Sequence, residues 1–163
     1  MQYMNKVFLL IGGNMGDRLQ NLRQAKAVLQ QTCGPVVQES AIYETAAWGK
    51  TDQEAFLNQA LVLETNLPAR ELLATILLVE EKLGRRRMEK FGPRIIDIDI
   101  IFYNDAVIDE PGLTVPHPQL PYRRFVLTPL NEIAPDLVHP VLNKTIAELL
   151  LECEDGLEVR RLN

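Results

Sequence analysis

In Ile95-Ile96-Asp97-Ile98-Asp99-Ile100-Ile101 two carboxylates alternate with aliphatic residues, a period of two that belongs to a β-strand. Such a strand sends Ile96, Ile98 and Ile100 into a core on one face. Asp97 and Asp99 then stand together on the other face, about 6.5–7 Å apart as same-face neighbours. Unpaired carboxylates in so apolar a strand are costly to bury, so something cationic must face them. A divalent metal meets that need, and so does an Asp pair bonded to arginine or water. On the pair alone both readings stay open.

Upstream, Gly84-Arg85-Arg86-Arg87-Met88-Glu89-Lys90-Phe91-Gly92-Pro93-Arg94 carries five basic residues against one acid, four of them between its glycines and Arg94 beside the strand. Arginine forks pair bidentately with phosphoryl oxygens. Magnesium is commonly held by one or two carboxylates plus substrate phosphates. Acidic strand and basic loop together describe phosphoryl-transfer chemistry. A charge run of this kind is otherwise a solvated loop, but its place between a helix and the aspartate strand favours the phosphate reading.

The chain has 163 residues, 47% of them hydrophobic, with no low-complexity break. A single domain over 1–163 is expected, with a substantial core. A net charge of −5, with the basic residues gathered in one loop, argues against a general nucleic-acid binder and for a small phosphorylated ligand. Cys33 and Cys153 lack metal or redox spacing. The Val7–Ile11 run is too short to span a membrane. The expected setting is the cytoplasm, with neither nucleic acid nor membrane as partner, and a monomer.

Element by element, Val7 to Ile11 reads as a buried strand. A helix follows, capped by Asp17, with Leu19, Leu22, Ala25, Val28 and Leu29 on its apolar face, and Gly34-Pro35 ends it. Val36–Thr45 and Phe56–Glu64 read as paired strands. Pro68 is placed in the first turn of a second helix with Leu72, Leu73, Ile76, Leu77 and Leu83 on its core face and Gly84 as its left-handed cap. With the aspartate strand this gives an α+β, ferredoxin-like βαββαβ fold, an antiparallel sheet with helices on one side. Beyond it lie a turn at Asn104-Asp105, a short strand at Ala106–Ile108, helices near Phe125–Ile133 and Thr145–Glu152, and a final strand at Leu157–Leu162.

Further residues invite chemical readings. Gly12-Gly13-Asn14-Met15-Gly16-Asp17 lacks the lysine of a phosphate loop and reads as a tight turn that lets backbone approach its neighbours. Asn58 is a carboxamide in a strand-like run. It suits the amide edge of a heterocycle with Phe56 stacking on the ring, or is a strand-end residue bonded to backbone. His117, held between two prolines and followed by Arg123, Arg124 and Phe125, suits a nucleotide contact. His139 reads as structural, and Trp48 covers a ligand or fills the core edge.

Taken in order, Ile11-Gly12-Gly13-Asn14-Met15-Gly16, Tyr43-Glu44-Thr45, Phe56-Leu57-Asn58, Gly92-Pro93-Arg94 with Asp97-Ile98-Asp99, and Leu113-Thr114-Val115-Pro116-His117-Pro118 with Arg123-Arg124-Phe125 resemble the 6-hydroxymethyl-7,8-dihydropterin pyrophosphokinase family over nearly the whole chain. The resemblance implies a folate-pathway enzyme that moves pyrophosphate from ATP, its co-substrate, to 6-hydroxymethyl-7,8-dihydropterin. It implies that Asp97 and Asp99 hold two Mg²⁺ ions, and that Arg85, Arg87 and Arg94 meet the phosphates, Arg85 and Arg94 acting in catalysis with the two aspartates. Glu80, Ile100, Thr114, His117 and Arg123 would line the nucleotide. Thr45, Ala46, Trp48 and Asn58 would frame the pterin, with Phe56 and Phe125 on its two faces. Ala46-Ala47 stands where the family commonly has proline, and Phe91 where some members have tryptophan. Rival readings of the fold are a two-metal nucleotidyltransferase, which would release pyrophosphate, and a ferredoxin-like binding module for RNA or a small effector.

Overall fold

Strand β1 (Asn5–Gly13) runs through the middle of the sheet in the computed structural model, which describes residues 4–46, 53–84 and 95–162. Every residue of β1 from Val7 onward is buried, so its apolar run must be covered on both faces. It pairs antiparallel with β4 (Phe56–Thr65), from Asn5 opposite Thr65 to Gly13 opposite Leu57. Its other edge pairs antiparallel with β5 (Asp97–Tyr103), the aspartate strand. The sheet order is β5-β1-β4-β3-β8, where β3 is Tyr43–Thr45 and β8 is Val159–Arg161; β2 (Val36–Glu39) also lies along β4. Helices α1 (Arg18–Thr32) and α2 (Ala69–Lys82) complete the expected βαββαβ order.

Local signals set the helix limits. Asp17 caps α1, its Oδ1 accepting the Gln20 N–H at 3.1 Å. Gly84 follows α2 in the left-handed region at φ +95°, where glycine carries no Cβ penalty. Pro68 stands one place earlier than expected, at the N-cap position. Leu22, Ala25 and Leu29 of α1 and Leu72, Ile76 and Val79 of α2 pack on Val7, Leu9 and Ile11 together with Ile96, Ile98 and Ile100. Leu19 and Leu77, expected on these faces, are 39% and 43% exposed.

The segment 36–45 is two strands, not one. The backbone N–H of Ser40 donates to the Ala60 carbonyl and its hydroxyl accepts the Ala60 N–H, both at 2.9 Å. The next N–H, from Ala41, leaves the ladder for both oxygens of the Glu132 carboxylate at 3.1 Å. The short strand read at Ala106–Ile108 forms instead as β6 (Ile108–Glu110), paired with β7 (Leu113–Val115). Asn104 makes the preceding turn at φ +51°, its Oδ1 accepting the Lys6 N–H at 2.8 Å. The last strand is shorter than expected, confined to β8.

Helices cover both faces of the sheet, not one. A 3₁₀ turn at Leu120–Tyr122, α3 (Arg124–Ile133) and α4 (Ile146–Glu152) occupy the second face. Leu120, Val126, Leu127, Leu130, Ile146 and Leu149 pack there on Phe8, Leu10, Ala60, Val62 and Phe102. The sequence beyond β5 thus supplies the second layer that the apolar centre of β1 requires.

Candidate active site

Asp97 stands opposite Gly12, Gly12 opposite Asn58, and Asn58 opposite Tyr43. Directly paired residues share a face, so these four form one row across β5, β1, β4 and β3. Ala60 and Val62 continue the Asn58 face of β4 and pack in the α3 layer, which puts the row on the α3 side of the sheet. Two strand spacings separate Asp97 from Asn58 by about 10 Å. Asp99 continues the face along β5, and Phe56 with Thr45 continues it along β4 and β3. Asp97 is half-buried and Asp99 exposed, while the three isoleucines lie in the opposite layer as the alternation predicts.

The absent side chain of Gly12 shapes the middle of the row. Asn58 lies over it so closely that a Cβ at position 12 would meet the Asn58 Oδ1 at 2.1 Å. Asn58 is 6% exposed. Nearby, the buried Thr45 Oγ1 has no hydrogen-bond partner among the described residues, a state that costs roughly 1–3 kcal/mol unless a ligand completes it. Phe56 and Phe125 are half-buried and Ala46 is exposed. The Arg123 guanidinium sits over the Phe125 ring, 4.9 Å from its centroid, a cation–π contact.

Glu80 fixes the strand that bears the aspartates. Only 5% exposed on α2, it accepts the Ile98 N–H through Oε2 at 2.7 Å. That bond marks the free edge of β5, and alternation turns the backbone groups of Ile100 to the same edge. The Ile100 side chain lies in the core beneath α1 and α2, turned away from the row of Asp97 and Asn58.

His117 donates its backbone N–H to the Ile101 carbonyl at 3.0 Å, and its Nδ1 accepts the Gln119 N–H at 3.2 Å. An accepting Nδ1 places the proton of the neutral ring on Nε2, and burial holds its pKa below the ordinary histidine value. Thr114 is exposed on β7. Arg124 is engaged within the fold: its Nε and a terminal guanidinium nitrogen donate to the Asp155 and Cys153 carbonyls, each at 3.0 Å, and tie the C-terminal segment to α3. His139 is structural as read, its Nδ1 accepting two backbone N–H groups. Trp48, Arg85, Arg87 and Arg94 lie outside the described residues.

Asp97 and Asp99 suit a hard cation that keeps substrate oxygens in its shell. Among the described residues no cluster of three or more His, Cys, Asp or Glu side chains is placed to hold a metal alone. Sequence reasoning passed over Asn14, Arg18 and Glu132. Asn14 is 3% exposed and donates from Nδ2 to the Gln53 Oε1 and the Glu54 carbonyl, each at 3.0 Å. Glu132 accepts from the Tyr43 hydroxyl at 2.7 Å; burial first and this bond second push the tyrosine pKa up to about 12. Each contact spans dozens of residues, and no local motif announces it.

The model of the 7,8-dihydro-6-hydroxymethylpterin-pyrophosphokinase family matches residues 8–135. The chain belongs to that family. Among curated relatives, the 2-amino-4-hydroxy-6-hydroxymethyldihydropteridine pyrophosphokinase of Methylorubrum extorquens is 42% identical over 95% of this chain and 98% of its own length. The protein of the same name from Synechocystis is 46% identical over 86% of this chain and 72% of its own. A crystal structure of wild-type Plasmodium falciparum HPPK-DHPS with pterin and p-hydroxybenzoate superposes at TM-score 0.75, with 20% identity over 93% of this chain. This pyrophosphokinase-family chain spans 42% of that fused protein, and at such identity the likeness speaks for the fold alone.

Proposed function

We propose that this chain transfers the pyrophosphoryl group of ATP to 6-hydroxymethyl-7,8-dihydropterin, giving the pterin diphosphate and AMP in folate biosynthesis. The observation that carries the reading is the row Asp97–Gly12–Asn58, which sets a carboxylate and a carboxamide about 10 Å apart on one sheet face. That separation suits a flat ring at one end whose hydroxymethyl arm reaches phosphates at the other.

Asn58 presents N–H and C=O to the pyrimidine-like edge of the pterin. Thr45 adds its unpartnered hydroxyl, and Phe56 and Phe125 flank the ring, with Ala46 and Trp48 also framing it. At the other end Asp97 and Asp99 hold Mg²⁺, two ions in our reading. Mg²⁺ held there would supply neutralisation of the phosphate charge. Arg85, Arg87 and Arg94 bind phosphoryl oxygens; Thr114, the Nε2–H of His117, Arg123 and the Ile100 backbone contact the nucleotide; Glu80 keeps β5 in place. Catalysis is positioning and electrostatic stabilisation, and the substrate hydroxyl displaces AMP from the β-phosphorus.

Incubation with ATP, Mg²⁺ and the hydroxymethyl dihydropterin, followed by product identification, tests this reading. AMP and pterin diphosphate in equal amounts are expected. Release of inorganic pyrophosphate would establish nucleotidyl transfer in its place.

A further inference from the structure

Arg18 is the first residue of α1, a position where the helix dipole disfavours a cation. Its contacts explain its presence. One guanidinium nitrogen donates to the Ala55 carbonyl at 2.8 Å and to the Glu44 Oε2 at 3.1 Å, while Nε stands 3.4 Å from the Glu54 Oε2. The other oxygen of Glu44 accepts from Arg160 of β8 at 2.7 Å. Glu44 immediately precedes Thr45, and Ala55 immediately precedes Phe56. Arg18 therefore ties the Glu44 carboxylate on one side of the β3–β4 connection to the Ala55 backbone carbonyl and the Glu54 carboxylate on the other, next to residues that face the proposed pterin site.

We infer that Arg18 is a positioning residue for the pterin end of the site, a clamp that fixes the relative placement of Thr45 and Phe56. The inference rests on the pterin reading of that sheet face. Side-chain hydrogen bonds from Arg160 and then Arg18 hold the Glu44 carboxyl below its usual range, so the clamp stays ionised through the neutral range. The row's other end is carried by β5 and α2, whereas the Arg18 bonds among the described residues run to Glu44, Glu54 and Ala55, and this separation makes the effect selective. A lysine retains the charge but cannot bond a carbonyl and two carboxylates in one plane.

The test compares two affinities in the full chain: that for 6-hydroxymethyl-7,8-dihydropterin with Mg²⁺ and a saturating non-hydrolysable ATP analogue, and that for the analogue alone. Arg18→Gln should weaken pterin binding at least tenfold and change analogue binding by less than twofold. Arg18→Lys should fall between Arg18→Gln and the parent. Arg18→Gln combined with Glu44→Gln should be no weaker than the worse single variant within twofold, since both cut one clamp. Parallel loss of both affinities, or an unchanged pterin affinity, overturns the inference. If Arg18→Gln fails to fold, Arg18→Lys decides by the same split. A parent protein that does not bind the dihydropterin overturns the functional reading itself, whereas pterin binding indifferent to Arg18 overturns only the clamp.

Discussion

Gly12 and Asn58 are locked to each other across the β1–β4 ladder: a Cβ at position 12 would lie 2.1 Å from the Asn58 Oδ1 and 2.8 Å from the Leu57 carbonyl oxygen. The first atom can swing away, but the second is backbone in the longest ladder of the sheet. Gly12→Ala should therefore displace the Asn58 carboxamide and strain β4, at a cost of about 1–3 kcal/mol in stability. We expect at least tenfold weaker pterin binding, read by titration beside a urea unfolding curve. Unaltered pterin affinity with a lowered urea midpoint would show that the Asn58 orientation is irrelevant to the ligand.

Asn58→Asp keeps the shape and removes the amide donors. In a desolvated pocket this leaves ring acceptors unpaired, a penalty of about 1–3 kcal/mol, or roughly 5- to 150-fold in affinity. Binding of the ATP analogue should be untouched, because the proposed nucleotide contacts come from β5 and the basic residues of 85–94. Loss of both affinities together would mark Asn58 as structural.

The aspartates make a sharper demand on rate. Asp99 is exposed and Asp97 half-buried, so Asp97→Asn and Asp99→Asn should each leave the fold intact while lowering turnover by at least about 10²-fold. Single-turnover rates across a Mg²⁺ titration provide the check. Near-parental rates in Asp97→Asn would remove the metal assignment.

What the sequence made legible was local. Alternation in Ile96–Ile100 revealed the two faces of β5, and Asp17 and Gly84 announced a helix start and a helix stop because cap chemistry acts within one turn. The break at Ser40 was hidden, because it depends on Ala60 and Glu132, partners far along the chain. The second helical layer was hidden too: the helices near residues 125–133 and 145–152 were readable, but the face they cover depends on tertiary packing. At the site, the residue types of Asn58 and the aspartates were visible, whereas Arg18 and Asn14 act through contacts with the segment 53–55 that no spacing rule encodes.

Glu80 gives a structural role that can be separated from any ligand contact. Its carboxylate caps the Ile98 N–H between the two aspartates, and Glu80→Ala leaves that buried donor unpaired at about 1–3 kcal/mol. Glu80→Gln retains an acceptor at the same reach. We expect Glu80→Ala to lower both the urea midpoint and turnover, and Glu80→Gln to recover most of the stability. Equal stability loss in both variants would show that the charge, and not the hydrogen bond, holds β5.

Both histidines should set an acid limit on stability. His139 is buried, with its Nδ1 accepting from the Val141 and Leu142 N–H groups at 3.2 and 3.1 Å and its ring edge-on to Phe102. Burial lowers its pKa in the fold, and the same holds for His117. In the unfolded chain both return to the ordinary value near 6.5. Above that value neither state binds the extra protons and stability is flat with respect to these groups. As pH falls below it, the unfolded chain takes up protons that the folded chain refuses, so stability drops until the folded pKa values are reached. Asn at position 139 offers an oxygen to the same two N–H groups and does not titrate. Urea midpoints between pH 7.5 and 5, converted with a constant m-value, should therefore fall less steeply for His139→Asn than for the parent. The difference in slope is bounded by about 1.4 kcal/mol per pH unit for one proton. Identical slopes would mean that protonated His139 is accommodated in the fold, with its two backbone donors released to other partners.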